Sequence, residues 1–300
     1  DLIFTNAWIY AYPGVIPGSP SGFLKRDASP IFAAPAPYLL PPGEARRLVD
    51  EALRFRMAYP FNMQYSVVSR RLLAALRAKG EAYQSPYPDY YATNALFLLA
   101  ERILVEPAPR VIIGVSPKSY GFYHFNDKED EGLAFLDNAP AQRDADRLAA
   151  VLLPGTRGAS SWLLAMEKLA QNFPELGLCA DHRRYRHMQM GTAYKRYHLA
   201  GTATRAQHAA HLARLTWSER WLRGLPLAIA LRLMRLGGRS RQQRLLLALR
   251  RLLGHAHAGS LGTADDGAQA TGCTDLVVVY EHLETARHAD PGAQRETAAR

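Results

Sequence analysis

The run Phe61-Asn-Met-Gln-Tyr-Ser-Val-Val-Ser-Arg-Arg-Leu-Leu73 leads into Gln84-Ser-Pro-Tyr-Pro-Asp-Tyr-Tyr-Ala-Thr-Asn-Ala-Leu-Phe-Leu98, then Ile113-Gly-Val-Ser-Pro-Lys-Ser-Tyr-Gly-Phe-Tyr-His-Phe-Asn126, and these three pieces decide the fold. Alternation in Phe61–Val67 would point Asn62, Gln64 and Ser66 to one face of a strand. Ser69 is placed to cap the helix that follows, and Gly80 to stop it, because Gly tolerates the left-handed backbone past a last turn. Pro86 and Pro88 block any early start for the next helix, which opens near Asp89 and continues through Asn94 to Arg102. Arg110–Ser116 then reads as a strand, being rich in branched aliphatics.

Outward from this region the pattern extends. Asp1-Leu-Ile-Phe-Thr-Asn-Ala-Trp-Ile-Tyr10 has the β-branched and aromatic content of a buried strand. Pro13 to Gly43 shows too little periodicity for a regular element and reads as one long loop. Ala45, Leu48, Val49, Ala52, Leu53 and Met57 form a helical stripe. Pro140 to Gly158 looks like a boundary. Helices are predicted beyond it at Trp162–Asn172, His182–Leu199, Thr204–Leu215, Ser218–Leu236 and Ser240–Leu253, the fourth kinked or restarted at Pro226. From Gly254 the composition predicts a poorly ordered tail, with one apolar run at Leu276–Tyr280. The expected organisation is a catalytic-type domain over 1–137, a linker over 138–158, a basic helical extension over 159–253 and a mostly disordered tail over 254–300.

Hydrophobic residues make up 48% of the chain, enough for a packed core and too much for general disorder. The 2 cysteines, Cys179 and Cys273, cannot build a disulfide framework or a zinc site, so a reducing cytoplasm is the simplest setting. No secretory signal opens the chain, and the first residue is not Met; the sequence is expected to start inside a longer protein. The net charge of +10 is concentrated in one place. Residues 181–253 hold 16 Lys and Arg against 2 Asp and Glu, whereas residues 1–180 hold 18 of each. The front of the chain therefore gives no reason to expect a polyanion groove.

Over roughly residues 1–137 the sequence resembles the family 2 glycosyltransferases of GT-A fold. Ser69-Arg70-Arg71-Leu72-Leu73 matches the start of that family's Arg-Arg-x-Leu helix, Gly80 its turn, and Pro88-Asp89-Tyr90-Tyr91 the acidic motif that opens the next helix. The family usually has Glu-Asp where this chain has Pro-Asp, so one carboxylate is missing. The resemblance implies an α/β fold: a partial GT-A-like, Rossmann-like catalytic domain followed by a basic, mostly helical C-terminal extension. It implies inverting transfer from a nucleoside-diphosphate sugar to a saccharide or lipid-linked acceptor, in cell-envelope or exopolysaccharide synthesis, with Asp89 as general base. A divalent cation, Mg or Mn, would be held by an Asp-x-Asp motif; none is usable in residues 1–137, so that motif and the nucleotide-binding half are expected upstream of Asp1.

Each candidate has a plainer reading beside the chemical one. Asp89 is either the base or a helix cap, and the two roles are compatible. Lys118 either meets a diphosphate or is solvated, and Ser116 belongs to the same donor-side loop. His124 is either a late metal ligand, a phosphate contact or a packed side chain among aromatics. Gln64, with Asn62 and Ser66, either lines an acceptor pocket or faces solvent. In the basic helices, Arg-rich faces opposite Trp and Leu suit a helix lying on an anionic membrane surface, at the inner face of the cytoplasmic membrane. They equally suit the solvated faces of a small helical unit. No recognised motif supports nucleic-acid binding. His208 and His211 share a helix face without an acidic partner, so a metal site is not expected there. The alternative to an enzyme is a non-catalytic membrane-surface or interaction module derived from one.

Overall fold

The computed structural model describes residues 1–126 apart from 18, then 128, 146–236, and 278, 279 and 281. The fold is α/β, with a mixed five-stranded sheet and eight α-helices among the described residues. Strand β1 (Leu2–Ala11) is central. On one side it pairs in parallel with β5 (Ile103–Val115). On the other side its first half pairs antiparallel with β4 (Ser66–Val68) and its second half antiparallel with β2 (Phe23–Arg26). The short β3 (Tyr38–Leu39) joins the far edge of β5. The segment Pro13–Gly43, expected to be one irregular loop, thus supplies two strands and a 3-10 turn at Pro30–Phe32. These strands are too short to announce themselves by periodicity; pairing with β1 and β5 makes them.

β5 begins seven residues earlier than its sequence suggested. Pro107 and Pro109 lack the N–H that a strand interior requires. The register with β1 shifts on both sides of Asn6, so the prolines fall in a bulge. Asn6 fills the irregularity: its Oδ1 accepts the Ala7 N–H at 2.6 Å and its Nδ2 donates to the Asp27 carbonyl at 3.2 Å.

The chain between β1 and β5 places α1 (Glu44–Leu53), α2 (Arg70–Ala78) and α3 (Pro88–Leu99) together on one face of the sheet. Ser69 caps α2, its hydroxyl accepting the Leu72 N–H at 3.2 Å, and Gly80 follows with φ of 122°. The core between helices and sheet is aromatic. Phe4 lies 5.0 to 6.1 Å from the rings of Phe32, Tyr59, Tyr65 and Phe97, and burying such a ring contributes about 1.5–3 kcal/mol.

After α4 (Tyr120–Phe125), helix α5 (Arg157–Asn172) packs against α3. Trp162 of α5 sits among Phe55, Phe61 and Tyr90, and its indole N–H donates to the Ala52 carbonyl at 2.9 Å. Residues read from sequence as the start of the extension therefore share the core of the sheet. Beyond them, α6 (His182–Tyr194), α7 (Arg205–Ala213) and α8 (Leu225–Leu236) enclose a second, smaller core of Leu153, Met190, Tyr194, Leu215, Leu231 and Met234. Two π-helical turns, Lys195–Ala200 and Glu219–Gly224, join these helices. A methyl group at Gly224 would overlap the Tyr194 hydroxyl and force that ring to shift. The helix expected at Ser240–Leu253 and most of the tail lie outside the described residues. Within the tail, Val279 is buried against Tyr10 and Leu24 on the second face of the sheet.

Candidate functional site

Helix α3 ends close before β5 begins, so its first turn is the end of the helix further from Ile103. The hydroxyl of Tyr87, just before that turn, is hydrogen-bonded to the hydroxyl of Tyr120 in α4, the helix that follows the carboxyl end of β5. The first turn of α3 is thus tied to the loop at the carboxyl ends of the parallel strands. Ligand crevices of open α/β sheets form at such ends.

Asp89 lies in this turn. It is not the cap: Pro88 is the first helical residue, and Tyr87 occupies the cap position without a side-chain bond. The carboxylate instead accepts the backbone N–H of Met63. Burial lifts its pKa above the ordinary carboxylate range, and the Met63 contact pulls it part of the way back. A carboxylate so placed is a stronger base than a solvated one. Around it Tyr87 and Tyr90 pack edge to face with centroids 5.4 Å apart, and Tyr90 rests on Phe61 at 5.5 Å.

The other predicted residues divide into two groups. Asn62, Gln64 and Ser66 do not alternate on a strand. Met63–Tyr65 is a 3-10 turn, which the Asn62 side chain caps by accepting the Gln64 N–H at 2.8 Å. Gln64 is exposed on this turn, next to the Met63 that holds Asp89, while the Ser66 hydroxyl is buried without a partner. In the second group, Ser116 and Ser119 build the turn after β5: the Ser119 hydroxyl donates to the Ser116 carbonyl at 2.8 Å, and the Ser116 hydroxyl accepts the Lys118 N–H at 3.3 Å. Lys118 and His124 are both exposed, and the His124 ring packs edge-on to Phe125 at 5.3 Å. Among the described residues no group of three or more His, Cys, Asp or Glu is arranged to hold a metal ion, and His124 joins none.

Sequence reasoning missed the tyrosines that connect these groups. Tyr87, Tyr90 and Tyr120 were visible only as repeated Tyr in Y-P-D-Y-Y and K-S-Y, with nothing to say that residues 33 apart would touch. It also missed Asp27, almost wholly buried. That carboxylate accepts the Tyr65 hydroxyl at 2.6 Å and the Ser29 hydroxyl and N–H at 2.6 and 2.8 Å. It borders a cavity of about 720 Å³ lined also by Trp8, Arg26, Phe32 and Pro107. A second cavity of about 610 Å³ lies in the helical unit between Arg183, His187, Glu219 and Arg223.

The helical unit contains a histidine cluster. His208 stacks on Tyr197 at 4.1 Å and meets His198 edge-on at 5.0 Å, while His211 Nδ1 is 2.7 Å from the Pro154 carbonyl. Burial lowers all three pKa values, that of His208 to about 4; Arg232 adds to the effect at His198 and His208, and Arg186 at His211. These imidazoles are therefore neutral at pH 7.

No protein-family model, curated protein or solved structure matches the chain.

Proposed function

We infer that residues 1–126 form the acceptor side of a glycosyltransferase that uses a nucleoside-diphosphate sugar, with Asp89 as general base. The observation that carries this reading is the environment of Asp89: a desolvated carboxylate with a raised pKa, fixed by one backbone N–H, on the helix turn tied to the carboxyl end of β5. In the reaction an acceptor hydroxyl oxygen attacks the anomeric carbon. The bond from that carbon to the diphosphate breaks, the diphosphate leaves with the electron pair, and the hydroxyl proton passes to Asp89. Such a base is typically worth about 10²–10⁴-fold in rate. Lys118, on the neighbouring loop, is the cation nearest in sequence to the proposed donor side, with Ser116 and His124 as further polar contacts there. Gln64, on the turn that supplies Met63, is on the acceptor side.

The sheet supports the reading in one more respect. β4 is an edge strand among the described residues, with Val67 61% exposed. A row of unpaired backbone groups accepts another strand, and a donor-binding half carrying an Asp-x-Asp motif and its divalent cation could extend the sheet there. The acceptor is a saccharide or a lipid-linked saccharide. The test is sugar transfer by the complete polypeptide with Asp89→Asn. A loss of about 10²-fold or more in kcat, with the fold retained, is the expected result; undiminished transfer removes the assignment.

A further inference from the structure

Helix α8, with the π turn before it, is apolar on two opposite sides. Leu231 and Met234 face the second core and are buried. On the far side Leu222, Leu225, Ile229, Leu233 and Leu236 recur three or four residues apart, 47 to 83% exposed. Helical geometry puts such positions in a single stripe. Trp217 and Trp221, 69% and 50% exposed, stand at its beginning. An apolar stripe of this length on a water-facing helix marks an interaction surface.

Charge selects the partner. Residues 182–236 contain eleven Lys and Arg and a single acid, Glu219. Glu219 is turned inward onto Arg186, the two side chains being 12% and 14% exposed. Two copies of this face would bring like charges together, whereas an anionic surface complements it. Beside the stripe, the cavity between Arg183, His187, Thr216, Ser218, Glu219 and Arg223 shares Leu222 with it, and the Glu219 carboxylate on its wall is held by Arg186. With Glu219 neutralised by Arg186 and bonded to the Thr216 hydroxyl, the guanidinium groups of Arg183 and Arg223 leave the cavity cationic, and beside exposed Leu and Trp this complements a phosphate head group beneath which acyl chains begin. Trp at one end of an apolar stripe is the composition of a helix in the bilayer interface.

We propose that the Trp217–Leu236 stripe docks on the surface of an anionic phospholipid bilayer, with the Arg183/Arg223 cavity receiving a lipid phosphate. No helix among the described residues is long and apolar enough to cross a membrane, so the helix lies along the surface. This surface is separate from Asp89 and stands whether or not that residue is a base.

The test is co-sedimentation of the whole chain with phosphatidylcholine vesicles and with vesicles containing about one-quarter phosphatidylglycerol. Binding is expected to the anionic vesicles, weakening as salt rises. The I229E/L233E variant, altered only at exposed positions, should bind about tenfold or more weakly, and R183Q/R223Q should lose a similar factor on anionic vesicles alone. Circular dichroism and melting temperature establish that both variants are folded. Inorganic phosphate should compete better than chloride at equal ionic strength against wild type but not against R183Q/R223Q, and equal competition by the two anions overturns the cavity assignment. Equal binding by wild type and I229E/L233E, or no binding to anionic vesicles, overturns the proposal. So does self-association that I229E/L233E abolishes without any vesicle binding, which would make the stripe an interface between copies.

Discussion

Arg186 grips Glu219 through two hydrogen bonds of 2.7 Å each, joining α6 to the π turn that precedes α8. Glu219 also accepts the Thr216 N–H and hydroxyl at 2.9 and 3.0 Å. The Arg186 guanidinium, the strongest of these donors in effect, holds the Glu219 carboxyl down at about 2. Its stabilisation is therefore present above the ordinary value near 4.5 and is lost as pH falls from there towards 2. Glu219→Gln leaves Arg186 facing a neutral partner in a mostly buried site. A loss on the order of 3 kcal/mol is expected in urea unfolding at pH 7. A change below about 0.5 kcal/mol would mean that the pair is effectively solvated.

Asp89→Asn should leave the melting temperature at pH 7 unchanged or raise it. The raised pKa means that the ionised carboxylate is disfavoured in the folded protein. The asparagine oxygen can still accept the Met63 N–H without carrying charge. If the residue were there for stability, the same substitution would lower the melting temperature. Where transfer can be assayed, the acidic limb of its pH–rate profile should lie above the ordinary Asp value of about 3.9.

The helical unit should lose stability in mild acid. His198, His208 and His211 have folded-state pKa values below the ordinary 6.5, His208 at about 4. Between about 6.5 and 4 the unfolded chain binds protons that the folded chain does not, so stability falls as pH falls through that window. Melting followed at 222 nm from pH 7 to pH 4.5 should show the decline. His208→Phe keeps a ring against Tyr197 and should flatten it. A decline of equal size in the variant would assign the effect elsewhere.

The α/β core and α5 should unfold as one unit. The Trp162 ring lies 5.3 Å from Phe55 and 5.1 Å from Phe61, on the sheet side of the helix. Trp162→Ala removes these contacts and the bond to Ala52; a cost of about 3–5 kcal/mol is expected. Denaturation should remain a single transition when followed by both tyrosine fluorescence and far-ultraviolet circular dichroism. Two separated transitions would show α5 to belong to an independently folding extension.

The second face of the sheet explains one feature of the tail. Leu276-Val-Val-Val-Tyr280 stands out in a polar, Gly- and Ala-rich context. Tyr10 and Leu24 are covered there by Val279. The apolar run was legible; its destination was not, because nothing local links residue 279 to residue 10.

By itself the sequence determined β1, α1, α2 with its Ser69 cap and Gly80 stop, α3, and the positions of α5 to α8, including the restart beside Pro226. Apolar periodicity, caps and proline blocks act within a few residues, and all were in view. It also placed the excess positive charge in the helical part and picked out Asp89 at a helix start. Tertiary structure decided what local pattern could not. β2 and β3 are short and exist by pairing with neighbours distant in the chain. β5 passes Pro107 and Pro109 because Asn6 and a bulge accommodate them. The polar residues at 62, 64 and 66 left their expected strand face because the Asn62 side chain closes a 3-10 turn. Most of all, α8 carries leucines on both sides, and periodicity cannot tell which side is covered. Burial is a property of what packs against a residue, and only the assembled helices show that Leu231 is inside and Leu233 is out.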